Sequence, residues 1–270
     1  MKLTHPVHKG ISALEFHAVA RRFGGARSGS VTAISDVTFS VARGEFVAVI
    51  GPSGCGKSTL LNLTAGLDLP SEGQVFLEGV PVAGPNPQVG FMLQKDLLLP
   101  WRSIRHNVEF GLEARAVSRA ERAERAERAL RELRRCKLEG FADHYPHQLS
   151  GGMRQRAALA RTLAIDPAIV LLDEPFSALD AQTKLVLQNS FTQTITASGI
   201  TTLLITHDLA EAVMMADRIL VMSERPGSIV DQIVVDLPGR DDPMARRAHP
   251  RNGEYMAYLF DRLHLADQAA

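Results

Sequence analysis

Cysteine is scarce in this chain of 270 residues, and net charge is absent. The two cysteines, Cys55 and Cys136, are too few for a disulfide framework or a zinc cluster, and we interpret both as reduced cytosolic thiols. Thirty Lys and Arg residues balance thirty Asp and Glu residues, so no polybasic field favours nucleic acid or a lipid surface as a partner. The remaining composition, with 45% hydrophobic and 22% charged residues, is typical of a folded protein with ample core.

Long hydrophobic segments are lacking too. No apolar run approaches the roughly eighteen residues that a membrane-spanning helix needs. Residues 1–10 are polar and lack the apolar core of a secretory signal, and we expect residues 1–12 to form a loosely held leader. If the protein works at a membrane, we therefore expect another chain to anchor it.

The chain does contain a glycine-rich segment between a predicted strand and a predicted helix. The apolar run Phe46–Ile50 is typical of a buried strand, and Leu60–Ala65 has the spacing of a helix with one buried face. The segment between them matches the phosphate-loop pattern G-x-x-x-x-G-K-[ST] and comprises Gly51, Pro52, Ser53, Gly54, Cys55, Gly56, Lys57, Ser58 and Thr59. In this context the loop amides and the helix N-terminus can hold a phosphate, Lys57 can reach the β- and γ-phosphates, and the Ser58 hydroxyl can ligate Mg²⁺. The alternative is a glycine-rich turn that matches the pattern by chance.

The other predicted strands indicate an α/β fold. Leu14–His17 and Val37–Val41 alternate in hydrophobicity, which predicts antiparallel strands joined by the glycine-rich loop at 24–29. Ala168–Leu172 and Thr202–Ile205 are continuous apolar runs, as expected of central parallel strands that are covered on both faces.

The middle and the end of the chain are predicted to be mostly helical. Residues 102–165 form a predicted helical block, in which a Glu-Arg-Ala repeat at 121–129 indicates a helix with a solvated face over Ser118–Cys136. A connector rich in proline and charge, Pro238–Arg251, precedes a predicted amphipathic helix at Glu254–Leu265.

Polar side chains follow two of the predicted strands. Val89–Leu93 delivers Gln94 at its end, and Ile169–Leu172 is followed by Asp173 and Glu174. Asp173 can hold Mg²⁺ through its water shell, and Glu174 is placed to orient or deprotonate an attacking water. Paired acids at a strand end are sometimes mere surface charges, but a preceding phosphate loop disfavours that alternative.

A second predicted helix start could bind an anion. Ser150 is a typical N-cap, and Gly151 and Gly152 leave the backbone amides bare before a helix predicted at Met153–Leu163. Such a helix start suits a phosphate, although taken alone it could be an ordinary capped helix.

These motifs occur in an order that resembles the ATP-binding cassette (ABC) ATPases. The set comprises the phosphate loop, Gln94, Leu149–Gly152, Asp173 with Glu174, Ser177–Asp180 and His207. The resemblance covers residues 14 to about 235. It implies a P-loop NTPase of the ABC ATPase type, with a RecA-like core, an antiparallel β subdomain and an inserted helical subdomain at about 102–165. We expect the ATP-binding domain at 13–237 and the connector and helix at 238–270.

The resemblance also implies a role for the residues of the ATP site. ATP would bind the phosphate loop, and Ser58, Gln94 and Asp173 would surround Mg²⁺. Glu174 would be the general base, Gln94 would contact the attacking water as well, and His207 would contact the γ-phosphate as a switch. Because of these roles, Glu174, His207 and Gln94 are the predicted catalytic residues.

Other residues are implied to act across a dimer or on the adenine. In this family two cassettes dimerise head to tail, so a homodimer is expected. The residues implied to act in trans on the partner's ATP are Ser150, Gly151, Gly152, Gln155 and Asp180, with Asp180 coupling the two sites. Phe23 falls where the family places an aromatic ring against adenine; the alternative is a phenylalanine of the core.

A narrower resemblance points to importers of nitrate, sulfonate, taurine and bicarbonate. It rests on Leu97–Trp101, Asn107–Leu112 and Leu172–Asp180. It implies a separate membrane permease that docks near Gln94–Trp101, an extracytoplasmic solute-binding protein, a small anionic or organic solute, and a peripheral place on the cytoplasmic face of the cell membrane. Trp101 would lie in the docking groove or, alternatively, anchor two subdomains as a buried residue. A non-transport ABC protein is the other candidate, but the single cassette, the missing coiled-coil insertion and the missing basic patch disfavour it.

Overall fold

The computed structural model describes residues 12–24, 30–113 and 119–268. The predicted leader up to residue 11 and the predicted loop at 25–29 lie outside the described residues. The strands, in chain order, are β1 Ser12–Phe23, β2 Val31–Ala42, β3 Phe46–Ile50, β4 Glu72–Leu77, β5 Val80–Pro81, β6 Val89–Met92, β7 Ile169–Asp173, β8 Thr201–Ile205, β9 Arg218–Met222 and β10 Ile229–Val234. The α-helices are α1 Lys57–Ala65, α2 Ile104–Glu113, α3 Arg119–Arg135, α4 Gly151–Ala164, α5 Ala181–Ser198, α6 Leu209–Met215, α7 Pro243–Ala248 and α8 Asn252–Gln268.

Six strands form a central sheet in the order β10-β9-β3-β8-β7-β6, in which only β10 runs antiparallel to its neighbour. All five residues of β8 and the first four of β7 are buried, which confirms the prediction of central strands covered on both faces. All five residues of β3 are buried as well, as predicted for Phe46–Ile50. Val49 and Asp173 both lie opposite Ile205 across the parallel ladder. The segments that follow β3, β7 and β8 therefore emerge together at the carboxyl edge of the sheet.

A second, antiparallel sheet has the order β2-β1-β4-β5. The predicted pairing of the first two strands is confirmed, and the rings of Phe16 and Phe39 stack across it with centroids 4.6 Å apart. Buried side chains of this sheet share one hydrophobic cluster with α1 and with one face of the central sheet. The helix that follows the phosphate loop is thus clamped between two sheets, which holds the loop in place.

The predicted helical block contains α2, α3 and α4, joined by two short 3₁₀ turns at Glu139–Phe141 and Pro146–Gln148. The helix predicted over the Glu-Arg-Ala repeat is confirmed as α3, which buries Ala129 and Leu133. Helix α4 begins at Gly151, two residues before the predicted start, because the Ser150 side chain accepts a hydrogen bond from the Met153 amide at 3.3 Å. The N-cap prediction for Ser150 is confirmed.

The C-terminal segment packs against the core. The predicted connector contains a short helix, α7, which sequence analysis missed; Asp242 caps it by accepting from the Ala245 amide at 3.0 Å. The predicted final helix is present as α8, and its Tyr255 and Leu259 are buried in the same hydrophobic cluster as one face of the central sheet. The division of the chain after residue 237 stays a prediction. Within the described ranges, no helix is both long enough and apolar enough to cross a membrane.

Candidate nucleotide site

The phosphate loop lies between β3 and α1 at the carboxyl edge of the sheet. Gly56 has a φ of 102°, and a Cβ at this position would lie 2.5 Å from the Ile34 side chain, so the loop needs glycine there. The Lys57 ammonium donates hydrogen bonds to the carbonyl oxygens of Gly51 and Pro52, both at 2.7 Å. These two hydrogen bonds hold the Lys57 ammonium against the start of the loop, next to the N-terminus of α1.

The backbone of Gly227 packs directly against the phosphate loop at Cys55. Sequence analysis did not predict this contact. A Cβ at this glycine would lie 1.9 Å from the Cys55 carbonyl oxygen, so the two backbones touch. Its amide donates to the Ala33 carbonyl at 2.9 Å, and its carbonyl accepts from the Ser35 amide at 3.0 Å. The only sequence signal is the turn-forming Pro-Gly pair in 225–227, which does not indicate what the turn contacts.

The two predicted acids lie at the end of β7, beside the loop. The Ser58 hydroxyl is 3.5 Å from Asp173 Oδ2. Burial and then the charge of Glu174 raise the pKa of the Asp173 carboxyl, while the Ser58 hydrogen bond and the charge of Lys57 oppose that shift. Two adjacent carboxylates thus lie within the electrostatic reach of the loop lysine, where a bound cation would relieve their repulsion.

Glu174 occupies a turn with a left-handed backbone. Its φ is 46°, which few residues other than glycine adopt, and its amide donates to the Ile205 carbonyl at 3.0 Å. Its Oε2 lies 3.0 Å from Nδ1 of His207, which follows β8. The His207 side chain is 59% exposed, so it can also be reached from solvent. The sharp turn aims the carboxylate away from the strand and towards the histidine.

Gln94 joins the same group of residues through a serine. Its Nε2 donates to Ser177 Oγ at 2.9 Å, and that hydroxyl donates to the Glu174 carbonyl at 2.9 Å. Gln155 is buried, at 5% exposure, and its Nε2 donates to the Gln94 carbonyl at 3.2 Å. Gln155 therefore lies behind Gln94 within its own chain, unlike the exposed Ser150 at the start of α4.

The residues predicted to act in trans start two adjoining helices. A Cβ at Gly152 would lie 3.0 Å from the Thr183 side chain, so the first turns of α4 and α5 touch. Asp180 caps α5 by accepting from the Thr183 amide at 3.0 Å, and hydrogen bonds from the Thr183 side chain and then from this amide lower the pKa of the exposed carboxyl. Ser150 and Asp180 make these hydrogen bonds within their own helix starts, and a Cβ at Gly151 would meet, among the described residues, only the Arg154 and Leu179 side chains, each at 3.8 Å.

Phe23 is the last residue of β1 and is 41% exposed, so it is not a phenylalanine of the core. The Arg21 guanidinium lies 4.6 Å from the centroid of its ring. A cation on one face fixes the ring and leaves an aromatic surface at which a base can stack.

The segment after Gln94 presents apolar side chains to the surface. Trp101 is 72% exposed, so the alternative of a buried anchor is wrong, and Leu97 is exposed as well. Arg161 of α4 donates to the carbonyl oxygens of Asp96 and Leu97 at 2.6 and 2.7 Å, and Arg154 pairs with the Asp96 carboxylate at 3.1 Å. Helix α4 thus holds this surface rigidly, on the same element whose first turn carries Gly151 and Gly152.

A phosphate loop after a central parallel strand, with two acids and a histidine at the same sheet edge, defines a P-loop nucleoside triphosphatase. Residues 34–177 match the family model described as ABC transporter. The chain belongs to this family, as an ATP-binding domain that hydrolyses ATP.

Relatives with printed roles include two importer subunits. The taurine import ATP-binding protein TauB of Yersinia pestis is 46% identical over 208 residues, which cover 77% of this chain and 80% of that protein. The nitrate import ATP-binding protein NrtD of Synechocystis is 41% identical over 247 residues, with 91% of each chain covered. An uncharacterized ABC transporter ATP-binding protein of Methanocaldococcus jannaschii is 47% identical over 77% of this chain and 76% of its own length.

Solved structures agree on the fold. A dimeric post-hydrolysis structure of the ATP-binding cassette MJ0796, bound to ADP and Pi, aligns with a TM-score of 0.70 and 32% identity, covering 83% of this chain and 99% of that one. The structure of cbiO1 from Clostridium perfringens, part of the ABC transporter complex cbiONQ, covers 94% of this chain and 98% of that one; it aligns with a TM-score of 0.74 at 24% identity and supports the fold alone. The predicted RecA-like core with an antiparallel β subdomain and a helical subdomain is confirmed.

Proposed function

We propose that this protein is the ATP-hydrolysing subunit of an importer for a small anionic or organic solute of the nitrate, sulfonate, taurine or bicarbonate type. The observation that carries the catalytic part is the contact between Glu174 and His207 beside the phosphate loop. The importer part is supported by the relatives that act in taurine and nitrate import.

The residues of the loop and its neighbours suit a magnesium nucleotide. The loop amides and Lys57 bind the phosphates of ATP, and Phe23 stacks on the adenine. The oxygen atoms of Ser58 and Asp173 lie close together, as the preference of Mg²⁺ for hard oxygen ligands requires, and Gln94 supplies a third oxygen. When bound, Mg²⁺ neutralises charge on the phosphates.

The chain's own groups then act on the attacking water. Glu174 accepts the proton of the water as general base, and Gln94 orients that water through its amide. His207 holds the Glu174 carboxylate on one side and donates to the γ-phosphate on the other. Both residues follow adjacent strands, which brings their side chains together beside the phosphate loop.

A second cassette, in a homodimer, completes each site. The starts of α4 and α5 are the surfaces that would reach the partner's ATP, with Ser150, Gly151 and Gly152 on the γ-phosphate and Asp180 between the two sites. Gln155 serves this contact from within its own chain by fixing the Gln94 segment against α4. The dimeric form of MJ0796 supports the arrangement.

The segment Leu97–Trp101, in which the side chains of Leu97 and Trp101 are exposed, is the proposed docking surface for a membrane permease. It follows Gln94 directly and is bound to α4 by Arg154 and Arg161, so permease movement reaches both the water-orienting amide and the helix start that acts in trans. With such a permease as partner, the protein would work at the cytoplasmic face of the cell membrane, and an extracytoplasmic solute-binding protein would be an indirect partner.

The importer proposal is tested by capture from membranes. Tagged Glu174→Gln protein with ATP is recovered from detergent-solubilised membranes, and its companions are identified by mass spectrometry. We expect a permease with several membrane spans, lost in Trp101→Ser and kept in Val80→Ser, a control at a comparably exposed residue of β5. Soluble companions alone, with the protein absent from membranes, would favour a non-transport ABC protein instead.

A further inference from the structure

A group of charged side chains, of which Glu211 is buried and Lys184 and Asp208 are partly buried, lies between α5 and α6, behind His207. Glu211 is 2% exposed, and its Oε1 accepts from Gln188 Nε2 at 2.8 Å and lies 3.0 Å from Lys184 Nζ. Its other oxygen accepts a hydrogen bond from the Thr206 hydroxyl. The carboxylate thus joins α5 to the residue that directly precedes His207.

The residue that follows His207 belongs to the same group. Asp208 Oδ2 accepts from Lys184 Nζ at 2.8 Å, and its Oδ1 accepts from the amides of Ala210 and Glu211 at 2.9 and 3.2 Å. The Asp208 amide in turn donates to Thr206 Oγ1 at 3.0 Å. The backbone on both sides of the histidine is therefore fixed by one set of hydrogen bonds.

The other end of the group reaches the Asp180 turn. Lys184 lies in the first turn of α5, and its amide donates to the Asp180 carbonyl at 2.9 Å. Its ammonium is the only described cation that contacts both Asp208 and Glu211. A displacement of the first turn of α5 would therefore move Lys184, and with it the two carboxylates that hold the segment around His207.

Lys184 and Asp208 keep their charges although both are partly withdrawn from solvent. Burial would lower the pKa of the Lys184 ammonium, but its hydrogen bond to Asp208 and the charge of Glu211 raise that pKa above its ordinary range. Burial would likewise raise the pKa of Asp208, yet the hydrogen bonds from Lys184 and the Glu211 amide hold it below the ordinary range. Replacing a buried ion pair by apolar side chains of similar size often leaves the stability of a protein unchanged, so stability alone does not explain this group. Its hydrogen bonds instead fix the positions of the segments that they join.

We propose that Lys184 is a positioning residue that holds His207 against Glu174 and transmits the position of the Asp180 turn to the histidine. The proposal rests on the roles given above to His207 and Asp180. The path runs from the surface that faces a second cassette, through the first turn of α5 and the carboxylates of Asp208 and Glu211, to the acid–histidine contact at 3.0 Å. It gives each site a direct mechanical link to its partner.

The test combines kinetics with a direct view of the histidine. In Lys184→Met we expect the turnover number to fall by about 10–100-fold, as a small displacement of a reacting group costs. ATP affinity should stay within about twofold, because no phosphate contact is removed. The imidazole NMR signals of His207, assigned by their loss in His207→Ala, should move away from their wild-type positions. Lys184→Arg keeps the cation and should restore most of both readouts.

A double-variant comparison separates positioning from general damage. In the His207→Ala background, Lys184→Met should cause no further fall in turnover, because the group through which it acts is gone. Arg218→Met, which breaks a buried ion pair at the opposite edge of the sheet, should lower stability while leaving the turnover number within about twofold and the His207 signals in place. If Lys184→Met reduces turnover by the same factor with and without His207, or leaves the His207 signals unchanged, the proposal is wrong.

These outcomes are distinct from a failure of the proposed function. Normal ATP hydrolysis in Glu174→Gln would remove the catalytic assignment itself. An inactive Glu174→Gln together with a fully active Lys184→Met would remove only the positioning role. Should Lys184→Met not fold, the His207 NMR signals of Lys184→Gln, which removes the cation but keeps a polar side chain, give the same decision.

Discussion

The two edges of the central sheet differ in how their charged groups are paired. At the amino edge, Glu45 and Arg218 form two contacts of 2.8 and 2.9 Å, and the guanidinium also donates to Gln232 at 2.7 Å. At the carboxyl edge, Asp173 and Glu174 are adjacent like charges whose side-chain contacts are a hydroxyl and a histidine. The charges at the amino edge are neutralised by each other within the fold. Among the described residues, the two carboxylates at the carboxyl edge have no such cation partner and can interact with a ligand, an arrangement that functional sites often adopt at some cost in stability.

The same contrast appears in the glycines. At the carboxyl edge, Gly56 and Gly227 are pressed against backbone or side-chain atoms, so each is needed for close approach. At the amino edge, Gly199 has open space around it and serves only to let the chain turn with a φ of 63°. The close contacts of Gly56 and Gly227 hold the backbone of the phosphate loop in one conformation. The turn at Gly199 has no such contacts with the described residues, and it binds no ligand in the proposed mechanism.

The same Glu-to-Gln substitution at each edge should distinguish a catalytic carboxylate from a structural one. Glu174→Gln should lower ATP turnover by about 10²–10⁴-fold, because the general base is lost, with little change in the free energy of unfolding. Glu45→Gln should weaken the paired edge and leave turnover nearly unchanged. Steady-state ATPase assays and urea unfolding of both variants check this pair; turnover in Glu174→Gln within tenfold of wild type would contradict the assignment.

The paired edge can be broken directly. Arg218→Met should reduce the free energy of unfolding by about 3–5 kcal/mol, since it leaves the Glu45 carboxylate buried without its partner. Urea unfolding followed by circular dichroism measures the loss. A cost below about 1 kcal/mol would mean that the amino-edge pair behaves like a surface ion pair.

Substitutions of Gly227 and Gly199 should also distinguish the two edges, with smaller effects than the substitutions of charged residues. Gly227→Ala places a methyl group against the Cys55 carbonyl and should displace the phosphate loop, weakening ATP affinity by about tenfold or more. Gly199→Ala should cost about 1 kcal/mol of stability through its left-handed backbone and leave ATP affinity alone. Calorimetric titration with ATP distinguishes them, and equal affinities in the two variants would show that Gly227 does not support the loop.

Local patterns predicted the parts of the fold and site that depend on neighbouring residues. The run Phe46–Ile50, the phosphate loop and the acids after β7 are each contiguous, so strand propensity and motif spacing were enough. The helical block and the Ser150 cap followed from helix formers and capping chemistry for the same reason.

Contacts between distant segments could not be predicted in this way. Gly227 touches Cys55 across more than half of the chain, and nothing in a Pro-Gly turn names its partner. Glu211 and Lys184 are charged residues on helices, and their sequence patterns predict that both face solvent. The burial of Glu211 and its contact with Lys184 depend on how α5 packs against α6. The inward position of Gln155 likewise depends on where the Gln94 segment lies.

The group formed by Lys184, Asp208 and Glu211 lies at the carboxyl edge, but its charges are paired as they are at the amino edge. The pH dependence of the free energy of unfolding tests that pairing. Because the pKa of Asp208 is lowered in the folded protein, its contribution to stability is present above the ordinary carboxyl pKa of about 4 and is lost as pH falls through the folded value. In Lys184→Met the cation is gone while the amides of Ala210 and Glu211 still donate to Asp208, so the pKa of this carboxyl should rise towards its unfolded value. The penalty of the substitution should therefore grow as pH rises through the carboxyl range.

The difference in unfolding free energy between wild type and Lys184→Met should therefore increase from about pH 3 to 6 by on the order of 1 kcal/mol, since a tenfold change in the acidity of one carboxyl is worth about 1.4 kcal/mol. Ile195→Val, which removes one methyl group from the buried face of the same helix, should give a difference that does not change with pH. Urea unfolding at several pH values measures both. A flat difference for Lys184→Met would mean that Asp208 and Glu211 find other partners or water once the lysine is removed, and that this group resembles the unpaired carboxyl edge after all.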